Sequence, residues 1–299
     1  MQDTPTQPWV RSMPFVFVLI WSTGFIVARF GMPHAPPMGF LAWRYFFSMA
    51  CFVAWIRWVG VAWPQGRAQW RHLAITGLLM HAGYLGGVWL AVKAGMGAGL
   101  SALVVGLQPV LTAVWLAHRG NRVGLAQWTG LALGLAGLVL VVWQKLQLTA
   151  EVSAWTLGLT VTSLLCITTG TLYQKRYVVA CDVRTASAVQ LLAALMVTLP
   201  FAWMETEPMH WNLPLMGAMA WSVLALTLGA SSLLYMMIQR GAAASVTSLM
   251  YLVPPSTAMM AWVLFDEPVT WMTVLGTICT VVGVMLVVKY PAHPPAARA

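Results

Sequence analysis

The chain has 299 residues, of which 60% are hydrophobic and only 8% charged, with a formal net charge of +9. A soluble domain carries about 25% charged residues, so this composition excludes a molecule covered by water and requires an outer belt that faces lipid. The positive charge does not point to nucleic acid, because the basic residues stand singly between apolar runs and form no basic patch or helix.

A helix that crosses the hydrocarbon needs about 20 mostly apolar residues. In chain order such runs lie at 12–31, 38–57, 71–93, 96–117, 123–143, 155–175, 184–204, 212–238, 242–265 and 269–288. They predict an all-α integral membrane protein of ten transmembrane helices. The first run lacks a small-residue cleavage site and is expected to stay as a span, not to be removed as a signal peptide. The second carries Arg44 near its start. Snorkelling to the outer interface or a structural partner is the expectation there, with a bound carboxylate or backbone carbonyl as the alternative. The 17 Trp suit a chain with many membrane–water crossings. Cys51, Cys166, Cys181 and Cys279 form no C-x-x-C pair and read as small apolar residues, so no disulfide framework, metal site or cofactor is expected.

An even number of spans puts both ends on one side. Twelve of the 16 Lys and Arg fall on that side, among them Arg11, Arg57, Arg67, Arg71, Lys175, Arg176 and Lys289. Arg29, Lys93 and Lys145 fall on the other. Both termini are therefore expected in the cytoplasm. Five of the seven acidic residues (Glu151, Glu205, Glu207, Asp266 and Glu267) map to the outer side.

The two halves match at a constant offset of 146 positions, which pairs Gly24 with Gly170, Gly83 with Gly229, Pro109 with Pro255, Gly130 with Gly276 and Gly137 with Gly283. Two repeats are predicted, 1–146 and 147–299. Each holds five spans, an odd number, so they must run through the membrane in opposite senses. Such inverted repeats serve alternating access around a site at their interface.

With these features the chain resembles the drug/metabolite transporter superfamily, in its ten-helix EamA-type branch. The residues that carry the resemblance are Trp21-Ser22-Thr23-Gly24, Pro36-Pro37, Trp43-Arg44-Tyr45, Pro109, Gly130 and Gly137, then Pro254-Pro255, Asp266-Glu267-Pro268, Gly276 and Gly283. The family's Glu between spans four and five is replaced by Asn121. Within the branch the chain is similar to YddG-like exporters of aromatic and other neutral amino acids. The resemblance implies secondary transport across a bacterial inner membrane, with spans one, three, four, six, eight and nine around a central cavity.

Polar groups at mid-membrane are expensive and need a reason. Those that fall on these spans are Trp21, Ser22 and Thr23 in the first, and His81 and Tyr84, one face of a helix, in the third. Ser101 and Gln108 follow in the fourth, Thr168, Thr169 and Tyr173 in the sixth, Ser231, Ser232 and Tyr235 in the eighth, and Thr247 and Tyr251 in the ninth. They are the candidate substrate-binding residues, although membrane Ser and Thr often bond only their own backbone. All seven acidic residues lie outside the middles of the spans, which predicts an uncharged cavity suited to neutral or zwitterionic molecules. Pro109, Pro254 and Pro255 break the helical ladder at matched places and are candidate hinges. The expected partners are a small-molecule substrate and the lipid bilayer, in a monomer or homodimer and without nucleic acid. Facilitated transport comes first among mechanisms and proton coupling through His81 second. A lipid scramblase or membrane-embedded enzyme is the alternative of a different class.

Overall fold

The computed structural model describes residues 8–119, 124–148, 152–230, 232–233 and 250–290. The described residues form helices and connecting turns, with no strand among them. Helices are what a lipid-facing backbone requires, since each satisfies its own peptide groups. In chain order α1 covers Pro8–Gly31, α2 Pro37–Val59, α3 Arg67–Lys93, α4 Ala98–Val105, α5 Gln108–His118 and α6 Leu125–Leu148. They are followed by α7 at Ala154–Tyr177, α8 at Val183–Met204, α9 at Leu213–Gly229, α10 at Val253–Phe265 and α11 at Trp271–Lys289. Seven stretches are long and apolar enough to cross a membrane: α2, α3, α4 with α5 (Ala98–Trp115), α6, α7, α8 and α11. Shorter apolar helices lie on the remaining three predicted spans, at Phe15–Gly31, Leu213–Gly229 and Met250–Phe265.

Helix starts recur at the spacing of the sequence repeat. Pro8 and Ala154, Pro37 and Val183, Arg67 and Leu213, and Leu125 and Trp271 each open helices 146 positions apart. Two irregularities end at the same spacing. α3 contains a π-helical turn at Leu78–Gly83, and α9 contains one at Ser222–Gly229.

Four starts in the second half are capped locally. Ser153 and Thr156 form a capping box on α7, and Asp182, Asn212 and Thr270 cap α8, α9 and α11. Arg184 bonds the Asp182 carboxyl and holds it below the usual carboxylate range. In the first half two starts are capped from a distance. Glu205 accepts from the Met38 and Gly39 amides of α2 at 3.0 and 2.8 Å, and Glu267 from the Ala98 amide of α4 at 2.8 Å. Lys93 joins the same end of the molecule to Glu207 and to the Met32 carbonyl. A carboxylate at a helix N-terminus meets unpaired amides and the positive end of the dipole. Glu267→Gln, at the more buried of the two sites, is expected to cost about 2 kcal/mol and Glu205→Gln about 1 kcal/mol. Thermal unfolding in detergent measures both.

α6 and α11 form the largest helix pair and cross antiparallel over their glycines. A Cβ on Gly130 would lie 2.6 Å from the Gly283 carbonyl oxygen, and one on Gly276 2.6 Å from that of Gly137. The glycines thus serve close packing, inside one chain. α2 packs on α8, α3 on α7 and α8, and α4 on α10.

The fourth predicted span is interrupted. α4 ends at Val105 and α5 resumes at Gln108 after a turn at residues 106–107. A 3-10 turn, Met250–Leu252, precedes α10 at the matching place. Pro109 therefore stands in the first turn of the resumed helix α5, and Pro254-Pro255 in the first turn of α10, where a missing N–H costs little. In the fourth span the break lies at residues 106–107, which corrects the expectation that Pro109 itself interrupts a continuous ladder. The turn at 106–107 meets the start of α10, since a Cβ on Gly106 would lie 2.7 Å from the Pro254 ring.

Candidate substrate-binding site

The π turns bring together a polar cluster that α2 and α8 complete. Arg44, on the second turn of α2, is 8% exposed and donates to the Thr227 hydroxyl of α9 at 3.4 Å. It also acts electrostatically on Tyr45, His81 and Tyr84. The Tyr45 hydroxyl donates to the His81 carbonyl, inside the π turn of α3, at 2.9 Å. Gln190 of α8 lies beside the His81 side chain. That approach depends on Gly77, one turn before His81, where a Cβ would lie 2.6 Å from the Cα of Gln190.

The cluster obeys the 146-residue spacing. Arg44 corresponds to Gln190 and His81 to Thr227, so the pair Arg44–Thr227 and the pair Gln190–His81 are counterparts in the two halves. A π turn holds one residue more than an α turn and turns local side chains to a new direction, a feature that gathers at functional sites. Beside the cluster an apolar groove of about 270 Å³ opens between α2 and α9. Phe47 and Val223, each about one turn from Arg44 and Thr227, lie in it together with Trp211 and Met219.

The family model described as EamA-like transporter family matches residues 11–143 and again 154–289. The chain belongs to the EamA-like transporter family. This EamA protein is 26% identical over 278 residues to a protein of Archaeoglobus fulgidus described as an uncharacterized transporter, covering 90% of this chain and 93% of that one. It is 24% identical over 297 residues to the uncharacterized inner membrane transporter YedA of Escherichia coli K12, covering 94% and 92%. A solved structure, titled only as the crystal structure of a protein, shares its fold at a TM-score of 0.66 and 18% identity, covering 94% of this chain and 98% of that one.

Of the residues predicted to bind substrate, the EamA chain brings His81 and Tyr84 into the cluster. Others are placed elsewhere. Ser22, Ser101 and Thr168 are buried, and their hydroxyls donate to the carbonyls of Val18, Gly97 and Leu164 in their own helices. Their polarity is consumed by the backbone. Ser232 likewise bonds the Leu228 carbonyl. Thr23 bonds the Ile20 carbonyl and accepts from the Trp221 indole at 2.8 Å, while Trp21 packs on Phe17. Gln108 bridges to Thr171 at 2.9 Å, joining α5 to α7. Thr169 is exposed, and Tyr251 is half-buried against an apolar cluster. Tyr173 bonds the His72 ring at 2.7 Å, near the start of α3 and away from the π turn. Ser231, Tyr235 and Thr247 lie outside the described residues.

Of the two expectations for Arg44, the structural partner is present and snorkelling is not, because the side chain is buried and bonded to Thr227. For the same reason the interior is not free of charge. Gln190 and Thr227 were not singled out by the sequence. The repeat offset was the signal that leads to them, when applied to Arg44 and His81.

Proposed function

We propose that this chain is a secondary transporter that exports small neutral metabolites, amino acids including aromatic ones foremost, across a bacterial inner membrane. Two inverted five-helix repeats, 1–146 and 147–299, would open a shared site to each side in turn. The observation that carries the reading is the pair of matched π turns, which set His81 and Thr227 against Gln190 and Arg44 at the interface of the halves. A site built at counterpart positions of two inverted repeats can be opened to either side by one rocking movement, as alternating access requires. The double match of the family model and the antiparallel crossing of α6 and α11 support the same architecture. The named inner membrane relative supports the location. Arg57, Arg67, Arg71, Lys175 and Arg176 gather at the end away from Glu205 and Glu267, which supports cytoplasmic termini. The turn at 106–107 and the start of α10, which meet at Gly106 and Pro254, would serve as hinges.

Counterflow in proteoliposomes with a panel of radiolabelled neutral amino acids tests this. Saturable exchange of aromatic and large neutral members is expected, unchanged by an imposed pH gradient. Exchange that follows the gradient would favour proton coupling through His81. No exchange of any member would refute the substrate class, and unaltered rates in Pro109→Ala and Pro255→Ala would refute the hinges.

A further inference from the structure

We infer that Arg44 anchors the carboxylate of the transported molecule, an assignment that rests on reading the cluster as a transport site. A guanidinium presents five N–H donors in a planar fork. Arg44 is 8% exposed, and among the described residues its hydrogen bonding is limited to one long bond, 3.4 Å, to a hydroxyl. No described carboxylate faces it. Glu205 and Glu267 hold helix starts, Glu207 binds Lys93, Asp182 binds Arg184, and Asp266 is exposed at the end of α10. A buried cation without a counter-ion is costly, and the cost is offset when a ligand brings the missing negative charge.

The surroundings narrow the ligand. Among the described residues Arg44 is the one charged group that acts on Tyr45, His81 and Tyr84. One guanidinium matches one carboxylate through two parallel hydrogen bonds, whereas a phosphate dianion would call for more positive charge. The repeat counterpart of Arg44 is the neutral amide of Gln190. The two ends of the cluster therefore differ: one suits an anion, and the other, with His81, suits a neutral polar group. An orientation follows in which the acid end of the ligand lies toward α2 and α9.

The test uses the purified full chain and three probes of one shape: L-phenylalanine, phenylpyruvate and L-phenylalaninamide. Ligand-induced thermal shifts, titrated to apparent Kd, are the readout. Both acids are expected to bind at least tenfold more tightly than the amide, and Arg44→Gln is expected to erase that difference. The comparison of acid with amide on the unaltered protein decides the matter even where Arg44→Gln does not fold. Equal binding of acid and amide, or a preference that survives Arg44→Gln, overturns the anchor. Binding of phenylpyruvate without phenylalanine keeps the anchor and refutes the amino-acid reading. No shift with any probe overturns both.

Discussion

Deleting Ala82 from the π turn of α3 is expected to leave a folded protein that transports at least about 100-fold more slowly, equivalent to ~2.7 kcal/mol on the transport barrier. The turn at Leu78–Gly83 holds one residue more than an α-helix accommodates. Removing one residue restores α-helical register, so the packing of Arg67–Gly77 and of Tyr84–Lys93 can both be kept. What changes is the direction of His81, which moves from a spacing of three to a spacing of two before Tyr84, about 100° around the axis. The approach of Gln190 to His81 and the Tyr45 bond to the His81 carbonyl are then lost together. Deleting Ala225 from the matching turn of α9 would displace Thr227 from Arg44 and should give the same phenotype. Counterflow rates beside size-exclusion profiles separate the outcomes. A folded variant with normal rates would remove the π turns from the mechanism, and an unfolded one would make them a packing device.

The second large effect concerns stability. Gly137→Val or Gly276→Val is expected to destabilise the bundle by about 3 kcal/mol, at the upper end of what overpacking costs. A side chain at either place runs into backbone of the facing helix. At Gly276 the obstacles are the Gly137 carbonyl and the Val141 side chain, and at Gly137 they are the Gly276 carbonyl and Thr280. Backbone cannot rotate aside as a side chain can, so α6 and α11 would have to separate along their length. Gly158→Ala in α7 is the control. A Cβ there meets open space, and the change should be neutral or slightly stabilising through helix propensity. Unfolding midpoints of the three variants in one detergent check the prediction. Equal midpoints would mean that the α6–α11 pair is not where the stability of the bundle lies.

Much of the scaffold was legible in the residues. Runs such as 155–175 and 184–204 coincide with α7 and α8 to within about two positions, because lipid admits only a backbone that bonds itself. The candidate site was legible only in part. Ser101, Thr168 and His81 all read as polar groups at depth, yet two of them spend their polarity on their own helix and one does not. Residue type tells that a bond must be made, but it does not tell to which partner. Arg44 was weighed as a snorkelling side chain because its partner, Thr227, stands 183 residues away.

The sequence by itself determined the membrane-capable helices, since apolar length and internal hydrogen bonding are properties of each segment alone. Only the tertiary structure decided which polar side chains converge. The π turns, the Gly77 approach to Gln190 and the long-range caps from Glu205 and Glu267 exist where two helices press on one another. No single helix carries that pressure within its own sequence.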